Sequence, residues 1–341
     1  MQPGALGVEA GATAVRPPGR PALARGDLVQ TLGPSAVLVV LVVVFGLASP
    51  QFRSMNNLHS MVDAAAVLAV VTVGITFVLL LGCIDLSATG VMAACSLTTS
   101  LLVANTRNAL DLGVWGVVVT VLLGGVFGLL NGVISVRLKV PSFMATLGVS
   151  AIGIGVATVM FAGVQPGLVD PWVSGWATQR WFGFTQLAYL ALGCIIIGWF
   201  VQRHTRLGRT AMAIGGAEDV LILSGVRVGP YKVAAFTVAG CCYGLAAAMA
   251  TSQLGAGLVQ AGGGYTFASI TAAIVGGTLL SGGRGGVLHS MVGVLIVSVL
   301  ANGLVLIGVS PYVQRGFQGL IVVIAVGGAA WPLRRRLVVV K

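Results

Sequence analysis

The apolar positions of the chain fall in long uninterrupted runs separated by short polar segments. A transmembrane helix needs about 20 mostly apolar residues, and ten runs approach or reach that length. They cover residues 32–49, 62–82, 87–104, 113–135, 142–163, 186–202, 233–253, 268–281, 288–308 and 313–332. A membrane β-barrel would show alternating segments of about ten residues instead. The pattern therefore predicts an all-α, polytopic membrane protein with about ten transmembrane helices, some interrupted by Gly-rich segments.

The composition supports this class and excludes others. Apolar residues make up 57% and charged residues 8% of the 341 residues, and the mean hydropathy is +1.02. Soluble domains carry about 25% charged residues, so a soluble globular, disordered or collagen-like chain is excluded. The five cysteines lie inside apolar runs without metal-ligand spacing. We therefore interpret them as small core residues and predict no metal site.

The distribution of basic residues predicts the topology. A cytoplasmic N-terminus followed by ten alternating spans places 15 of the 19 Lys and Arg residues in inner segments, as the positive-inside rule requires. Both termini are then cytoplasmic. We divide the chain into a disordered basic tail (1–31), a single transmembrane domain (32–332) with a long cytoplasmic loop (203–232), and a second basic tail (333–341). A signal peptide around Val37–Phe45 is the alternative interpretation of the first run.

Several kinds of chemistry are absent from the sequence. No GxxxxGK[ST] phosphate loop occurs, so the chain is not expected to bind ATP in the usual way, and no HExxH or GxSxG motif indicates an enzyme. The net charge of +11 is spread over clusters between the apolar runs, which argues against a nucleic-acid partner. Acidic residues inside the runs are scarce, since Asp85 lies between two runs and Asp63 lies at the edge of one. This scarcity disfavours a proton-coupled carrier.

Residues 74–90, GITFVLLLGCIDLSATG, place an acid between two apolar runs. Asp85 is followed by Ser87 and Thr89. One interpretation is that Asp85 caps the next helix, where the helix dipole favours an acid. The other is that it lies on a translocation path or gate, because acids within membranes are usually functional. The two interpretations are compatible, and both remain open from the sequence.

The loop from Gln202 to Lys232 contains a second informative pattern. Gly215 and Gly216 are expected to break the chain, and Ala217–Leu223 to form a short helix. Two acids complement the dipole of its first turn and a glycine is placed to end it; these residues are Glu218, Asp219 and Gly225. A capped helix in this loop predicts a docking element for a partner, and a merely solvated loop is the alternative.

Two further patterns depend on glycine. Residues 262–286 hold two Gly-rich breaks around a short apolar segment, which predicts a pore-lining interrupted helix or, alternatively, a tight helix corner. Elsewhere glycines recur four residues apart in the apolar runs, which predicts close packing of helix backbones. These packing glycines are Gly124, Gly128, Gly132, Gly240 and Gly244.

Five motifs in order resemble the permease subunits of bacterial ABC importers for sugars, the ribose, xylose, galactose and autoinducer-type family. GCIDLSATG resembles the family's GGIDLSVGS, and LLNGVISVRLKVPSFMATLG its NGxxxxxxKxPxFxxTLG stretch. RLGRTAMAIGGAEDVLILSGV resembles the cytoplasmic loop RxGRxxxAIGGNxxAAxxSGI. IVGGTLLSGGRGG and GVSPYVQRGFQGLIVVIAV resemble the last segments. The matches extend from about residue 60 to 330.

The resemblance implies a transport subunit of the bacterial cytoplasmic (inner) membrane rather than an enzyme. It implies a pentose or hexose substrate delivered by an extracytoplasmic binding protein, an ATPase subunit that carries ATP and magnesium, and a second permease subunit. The loop would be the element that couples to the ATPase, with Gly208, Gly215, Gly216, Glu218, Asp219 and Gly225. The translocation path or gate would contain Asp85, Ser87, Thr89, Tyr265 and Thr266. A self-sufficient secondary carrier or channel for a small polar solute is the alternative.

The sequence departs from the family pattern at several positions. Thr266 and Ala268 stand in GYTFASITA where the family has acids in GYELDAIA, Cys83 replaces the second Gly of GGIDLS, and Ala217 replaces the loop Asn. Loss of both acids leaves the substrate open, and it also fits one half of a heterodimer instead of a homodimer. The aromatic loop Gly163–Thr185 is expected either to contact the binding protein or to lie in the headgroup layer.

Overall fold

The computed structural model describes residues 25–310 and, beyond them, residues 313, 316, 319 and 320, with side chains from Leu32 onward. Within this part of the chain the fold is almost entirely helical. The α-helices are α1 (Arg25–Ala48), α2 (Met55–Leu80), α3 (Ala88–Leu102), α4 (Val114–Arg137), α5 (Ser142–Phe161), α6 (Pro171–Thr178), α7 (Gln186–His204), α8 (Arg206–Leu223), α9 (Val228–Leu254), α10 (Tyr265–Val275) and α11 (Val287–Leu306). A 3₁₀ helix (Pro50–Arg53) precedes α2, and a two-stranded hairpin, β1 (Arg180–Trp181) and β2 (Phe184–Thr185), precedes α7.

Each of the first nine apolar runs coincides with a helix, as predicted. Six described helices are long and apolar enough to cross a membrane, namely α2, α4, α5, α7, α9 and α11. Residues 32–48 of α1, and all of α3 and α10, are apolar but shorter. These helices establish a multi-pass membrane protein. Helix α1 begins at Arg25, so residues 25–31 of the tail that was expected to be disordered are helical. Residues 1–24, the second tail and most of the tenth run (313–332) lie outside the described residues, so the count of ten spans and the positions of the termini stay predictions.

Two helix predictions need correction. The run 268–281 was expected to be helical throughout, but α10 ends at Val275, because Gly276 and the residues after it form an irregular segment that extends to Gly286. The predicted break at Gly215 and Gly216 is displaced by one residue. Helix α8 runs through both glycines, and only Ala217 leaves helical geometry, with φ −165° and ψ 76°.

Helix α2 forms the centre of the bundle. Its residues from Ala65 to Leu80 are buried, and α7, α9, α10 and α11 surround it. Helix α3 packs against α5 and α9, and α4 lies along α9 and also contacts α3. Because α2 and α3 are enclosed by other helices, the segment that joins them lies inside the protein.

The α4–α9 contact is a crossing of glycines, and it contains the packing glycines predicted from their spacing. A Cβ placed on Gly128 would collide with the carbonyl oxygen of Phe236 and lie 2.9 Å from its carbonyl carbon. A Cβ on Gly244 would lie 2.8 Å from the carbonyl oxygen of Thr120. Gly124 and Gly240 face each other in the same way, and Gly132 packs on the backbone of Val233. The two backbones therefore touch without intervening side chains.

We predict that Gly128→Ala destabilises the protein although Ala favours helix more than Gly does. The added methyl group must push α4 away from α9, and overpacking of this kind costs about 1–3 kcal/mol. The apparent melting temperature of the detergent-solubilised protein should fall. Gly193→Ala on α7 is the matched control, since a Cβ there meets nothing within 4 Å. Equal melting temperatures for the two variants would contradict the proposed crossing.

Candidate functional site

The segment between α2 and α3 is extended inside the bundle. Helix α2 ends at Leu80, Gly82 turns the chain with φ +73°, and residues 83–87 have no regular structure before α3 begins. We call residues 81–87 the first break. The N–H groups of Leu81, Gly82 and Cys83 still donate to carbonyl oxygens in the last turns of α2, but from Ile84 onward the backbone has lost its helical acceptors. Within a bilayer no lipid group would replace them. Other parts of the protein must therefore supply the acceptors.

Three hydroxyl groups on one face of α5 supply them. Ser142, Thr146 and Ser150 are spaced four residues apart, which places them on one side of a helix. The Ser142 Oγ accepts a hydrogen bond from the Ile84 N–H (3.1 Å), and the Thr146 Oγ1 accepts one from the Leu86 N–H (3.0 Å). Farther along, the Ser150 Oγ accepts from the Gly90 N–H (3.2 Å) in the first turn of α3. Helix α5 thus acts as a hydrogen-bonding template for the break.

The Asp85 side chain anchors the break to two more helices. It is 1% exposed. Its Oδ1 accepts hydrogen bonds from the Ser87 N–H (2.8 Å) and the Ser87 Oγ (2.6 Å), and its Oδ2 accepts one from the Tyr243 hydroxyl of α9 (3.0 Å). The Asn131 Nδ2 of α4 donates to the Ser87 Oγ (2.8 Å). We call Asp85, Ser87, Asn131 and Tyr243 the carboxyl network.

Asp85 is not the N-cap of α3. That position belongs to Ser87, and the carboxylate accepts from Ser87 itself rather than from the second or third residue of the helix. Hydrogen bonds from one N–H and two hydroxyl groups satisfy the Asp85 carboxylate. Among the described side chains, no basic residue forms an ion pair with it. The geometry therefore gives Asp85 a structural role in the break.

Thr266 of α10 takes the capping role at α3. Its Oγ1 accepts a hydrogen bond from the Thr89 N–H (3.0 Å) and lies 2.8 Å from the Thr89 Oγ1. The Thr89 hydroxyl also reaches the carbonyl oxygen of Gly262 (3.3 Å). A donor at the N-terminus of one helix is thus satisfied by a side chain of another helix, which fastens α10 to α3.

Tyr265 is separated from the other four predicted path residues. Asp85, Ser87, Thr89 and Thr266 lie around the start of α3, whereas Tyr265 lines a groove of about 580 Å³ between α2, α10 and α11. Asn302 and Ser298 of α11 line the same groove. The five residues that the sequence predicts for the path therefore divide into two groups: four lie together around the start of α3, and Tyr265 lies in the groove. Asn131 and Tyr243 were missed, although a polar residue inside an apolar run is the signal that indicates such partners.

A second break separates α10 from α11. Residues 276–286 are irregular. Backbone groups satisfy part of this segment, and the side chains of Gln202 and Thr278 bond to its end and to the start of α11. The Gln202 Nε2 of α7 donates to the Gly285 carbonyl (3.3 Å), while its Oε1 accepts from the Val287 N–H (2.7 Å). The Thr278 Oγ1 accepts from the Gly286 N–H (3.1 Å) and lies 3.0 Å from the Ser290 Oγ. Both breaks therefore follow one rule, in which distant side chains replace the lost helical partners.

Helix α8 has two halves that meet at Ala217. The first half, residues 206–216, buries Gly208, Ala211 and Ile214 against the bundle. The second half, residues 217–223, is largely exposed, with Leu223 88% exposed. Near its start, Glu218 forms an ion pair with Lys232 of α9 (2.7 Å). Asp219 is exposed. Gly225, with φ +81°, follows the end of the helix. The short helix predicted at 217–223 is present, as a continuation of a longer one.

At the opposite end of α2, Asp63 holds the aromatic loop. Its Oδ1 accepts from the Thr185 N–H and Oγ1 (2.9 Å each), and its Oδ2 pairs with the Arg180 guanidinium (3.0 Å). This anchors the β1–β2 hairpin, whose tip residue Phe182 is 96% exposed. Asp63 thus has a structural role that fixes the loop to the central helix.

Comparison with known proteins now identifies the family. Residues 57–326 match the family model described as the branched-chain amino acid transport system / permease component. The chain belongs to this permease family. The ribose import permease protein RbsC of Escherichia coli (strain K12) is 32% identical over 293 residues, which is 85% of this chain and 90% of the relative. No solved structure gives a significant match.

Two further relatives of the permease have similar coverage. RbsC of Bacillus subtilis (strain 168) is 32% identical over 308 residues, 88% of this chain and 92% of the relative. The L-arabinose transport system permease protein AraH of Escherichia coli (strain K12) is 30% identical over 302 residues, 88% of this chain and 90% of the relative. The match therefore extends over nearly the whole length of each relative.

Three of the five motifs that carry the family resemblance build or contact the breaks of this permease. GCIDLSATG is the first break and the start of α3, and IVGGTLLSGGRGG spans the second break. LLNGVISVRLKVPSFMATLG contains Asn131, Ser142 and Thr146, which contact the first break. The motifs thus describe one structural unit whose parts lie far apart in the sequence.

We predict that Thr146→Val destabilises the protein by about 1–3 kcal/mol, because the Leu86 N–H is left without an acceptor. Valine keeps the shape of threonine, so packing changes little. The measurement is thermal unfolding in detergent, together with hydrogen–deuterium exchange of residues 83–87, which should become faster. Thr158→Val on the same helix is the control, since the Thr158 hydroxyl is exposed and donates only within its own helix, to the Ile154 carbonyl. Unchanged exchange in Thr146→Val would contradict the template role of α5.

Proposed function

We propose that the chain is the transmembrane permease subunit of an ABC importer that takes up a pentose or hexose. The observation that supports this most directly is the match, over nearly their full length, to ribose and L-arabinose permeases. The family model's description names branched-chain amino acid transport, but the relatives named for sugars agree with this chain across 85–88% of its length. A sugar is therefore the substrate class that we propose.

The topology that we propose places α8 in the cytoplasm. Ten spans with both termini inside give the inner segments most of the basic residues, and α8 with its arginines lies in one of them. The bacterial cytoplasmic membrane is the proposed location. In this orientation the Asp63-anchored hairpin faces outward, and the first break lies toward the cytoplasmic end of α2.

The absence of a phosphate loop from the sequence and the exposed surface of α8 support the partners that we propose. ATP and magnesium would bind to a separate ATPase subunit, because the sequence has no phosphate loop. The exposed second half of α8, with Val220, Ile222 and Leu223 at its surface, is the proposed contact with that subunit. An extracytoplasmic binding protein would deliver the sugar, and a second permease subunit would complete the path. Asp85, Ser87, Thr89 and Thr266 would form the part of the gate inside each subunit.

A self-sufficient secondary carrier or channel is the competing proposal. Between residues 32 and 310, the buried acids are Asp63, Asp85 and Asp170, and each accepts hydrogen bonds that fix structure. A carrier driven by a proton gradient needs ionisable groups that change partners during the cycle. The three acids support a permease driven from outside the membrane domain better than such a carrier.

Reconstitution separates the two proposals. The tagged chain is purified in mild detergent from its native membrane, co-purifying subunits are identified by mass spectrometry, and uptake of labelled ribose into liposomes is measured. The importer proposal expects an ATPase subunit in stoichiometric amount and uptake that needs ATP and the binding protein. Uptake by the chain alone, driven by an ion gradient, would overturn it.

We predict that Leu223→Asp abolishes co-purification of the ATPase while the melting temperature of the permease is unchanged. Leu223 is 88% exposed, so an acid there disturbs no internal packing but introduces a charge into an apolar contact. Leu254→Asp, at the C-terminal end of α9, is the control. Leu254 is also exposed (51%), and the proposed topology places it at the opposite face of the membrane from Leu223. Normal ATPase binding by Leu223→Asp would show that the contact lies elsewhere.

A further inference from the structure

The first half of α8 meets both breaks at a single point. A Cβ on Gly215 would collide with the carbonyl oxygen of Leu80 and the backbone nitrogen of Gly283, and it would lie 2.8 Å from the Cα of Gly282. A Cβ on Gly282 would lie 2.5 Å from the backbone nitrogen of Gly82. Three segments that are distant in sequence therefore touch backbone to backbone. We call Gly82, Gly215, Gly282 and Gly283 the glycine junction.

Hydrogen bonding joins the two breaks at this junction. The Gly283 N–H donates to the carbonyl oxygen of Leu80 (3.0 Å), at the last turn of α2. That carbonyl is the atom that a methyl group on Gly215 would strike. Gly82, Gly282 and Gly283 all have positive φ values, between +73° and +83°, so side chains are excluded there by conformation as well as by space. The contact depends on glycine at each of its members.

Apolar packing fixes α8 to the junction. Ala211 and Ile214 of α8 are buried in one cluster with Phe77 and Leu80 of α2 and Val287 of α11. Complete burial of a side chain the size of isoleucine stabilises by about 1.5–3 kcal/mol. This half of α8 therefore belongs to the membrane bundle, and it moves with the helix ends to which it is packed.

A second connection leads from α8 to the second break. Gln202, at the end of α7, satisfies both Gly285 and Val287 through its side-chain amide. Gly208 of α8 packs directly on the backbone of Gln202, where a Cβ would collide with the Gln202 carbonyl. The turn from α7 into α8 is thus tied to the segment that starts α11, independently of Gly215.

The second half of α8 is free to receive a partner. It turns away at Ala217 and is held by the Glu218–Lys232 ion pair, in which Glu218 is partly exposed. A pair of this exposure contributes no more than about 1 kcal/mol. The two halves of α8 therefore differ in burial: the first is packed on the breaks, whereas the second is mostly exposed and is held by this ion pair and by Leu221, which packs against the same apolar cluster.

We propose that Gly215 is a positioning residue through which displacement of the exposed half of α8 moves both breaks, and with them the start of α3. This rests on the proposed function, since it assumes that an ATPase displaces α8. Backbones in direct contact have no side-chain rotamers that absorb a displacement, and packed interiors transmit strain. The first break continues directly into Asp85 and the carboxyl network, so a shift at Gly82 changes the position at which α3 begins.

Gly215 and its neighbour Gly216 provide a matched pair of variants. Both lie in α8, but a Cβ on Gly216 meets nothing within 4 Å. In liposomes with the ATPase and binding protein, Gly215→Ala is expected to keep ATP hydrolysis while the ratio of sugar taken up to ATP hydrolysed falls about tenfold. Gly216→Ala is expected to leave that ratio unchanged. A purely structural role would lower hydrolysis and uptake together, and an unaltered ratio in Gly215→Ala would overturn the proposal.

A measurement on the unmodified complex covers the case in which Gly215→Ala fails to assemble. Hydrogen–deuterium exchange is compared with and without ATP bound to the partner. The proposal expects residues 81–87 and 276–286 to change exchange rate together with residues 206–216. A response confined to residues 217–223 would overturn it. Failure of the ATPase to bind at all would count against the proposed function instead, so the two proposals fail by different results.

Discussion

The structure depends on one constraint: backbone N–H and carbonyl groups that leave a helix inside a membrane must find partners within the protein. An unsatisfied group in hydrocarbon costs several kcal/mol, and this chain interrupts its helices twice, at residues 81–87 and 276–286. The hydroxyls of Ser142, Thr146 and Ser150 serve the first break, and the Gln202 side chain serves the second. The order of helices around α2 follows, because the helices that carry these side chains must lie beside the breaks.

Glycine makes that arrangement possible by letting backbones approach. The Ser150 hydroxyl reaches the Gly90 N–H because α3 and α5 cross without side chains between them: a Cβ on Gly90 would strike Ser150, and one on Gly153 would lie 2.5 Å from the Gly90 carbonyl carbon. The α4–α9 crossing brings Asn131 and Tyr243 to opposite sides of Ser87 and Asp85 in the same way. Without a hydrophobic drive between helices in lipid, close van der Waals contact and hydrogen bonds supply the packing energy. The hydrogen-bond networks therefore depend on the glycine crossings, which bring the helices close enough for these bonds to form.

The sequence predicts the helices well and the networks poorly, for physical reasons. Each apolar run is long because a helix must cross the membrane, so its position is a local property that periodicity and length record. The hydrogen-bond partners are not local: Asn131 lies 44 residues from Ser87, and Thr266 lies 177 residues from Thr89. The spacing of Ser142, Thr146 and Ser150 is visible in the sequence, but the break that they face is not. The first half of α8 was missed for a related reason. The glycines mark the kink locally, since helical geometry is lost directly after Gly216 at Ala217, but the contact of Gly215 with Leu80 and Gly283 is not local and has no signal in the sequence.

The same reasoning accounts for the departure at Thr266, where the resembling family has an acid. The start of α3 already holds the Asp85 carboxylate, buried without a cation among the described residues. The Thr266 hydroxyl accepts from Thr89 within one turn of that carboxylate. Threonine satisfies that N–H without placing a second charge beside Asp85, which avoids a further cost of desolvation. The resembling family holds acids in GYELDAIA together with the Asp of its GGIDLS motif, so repulsion alone does not exclude them. What Thr266 supplies in this chain is an oxygen acceptor at the start of α3.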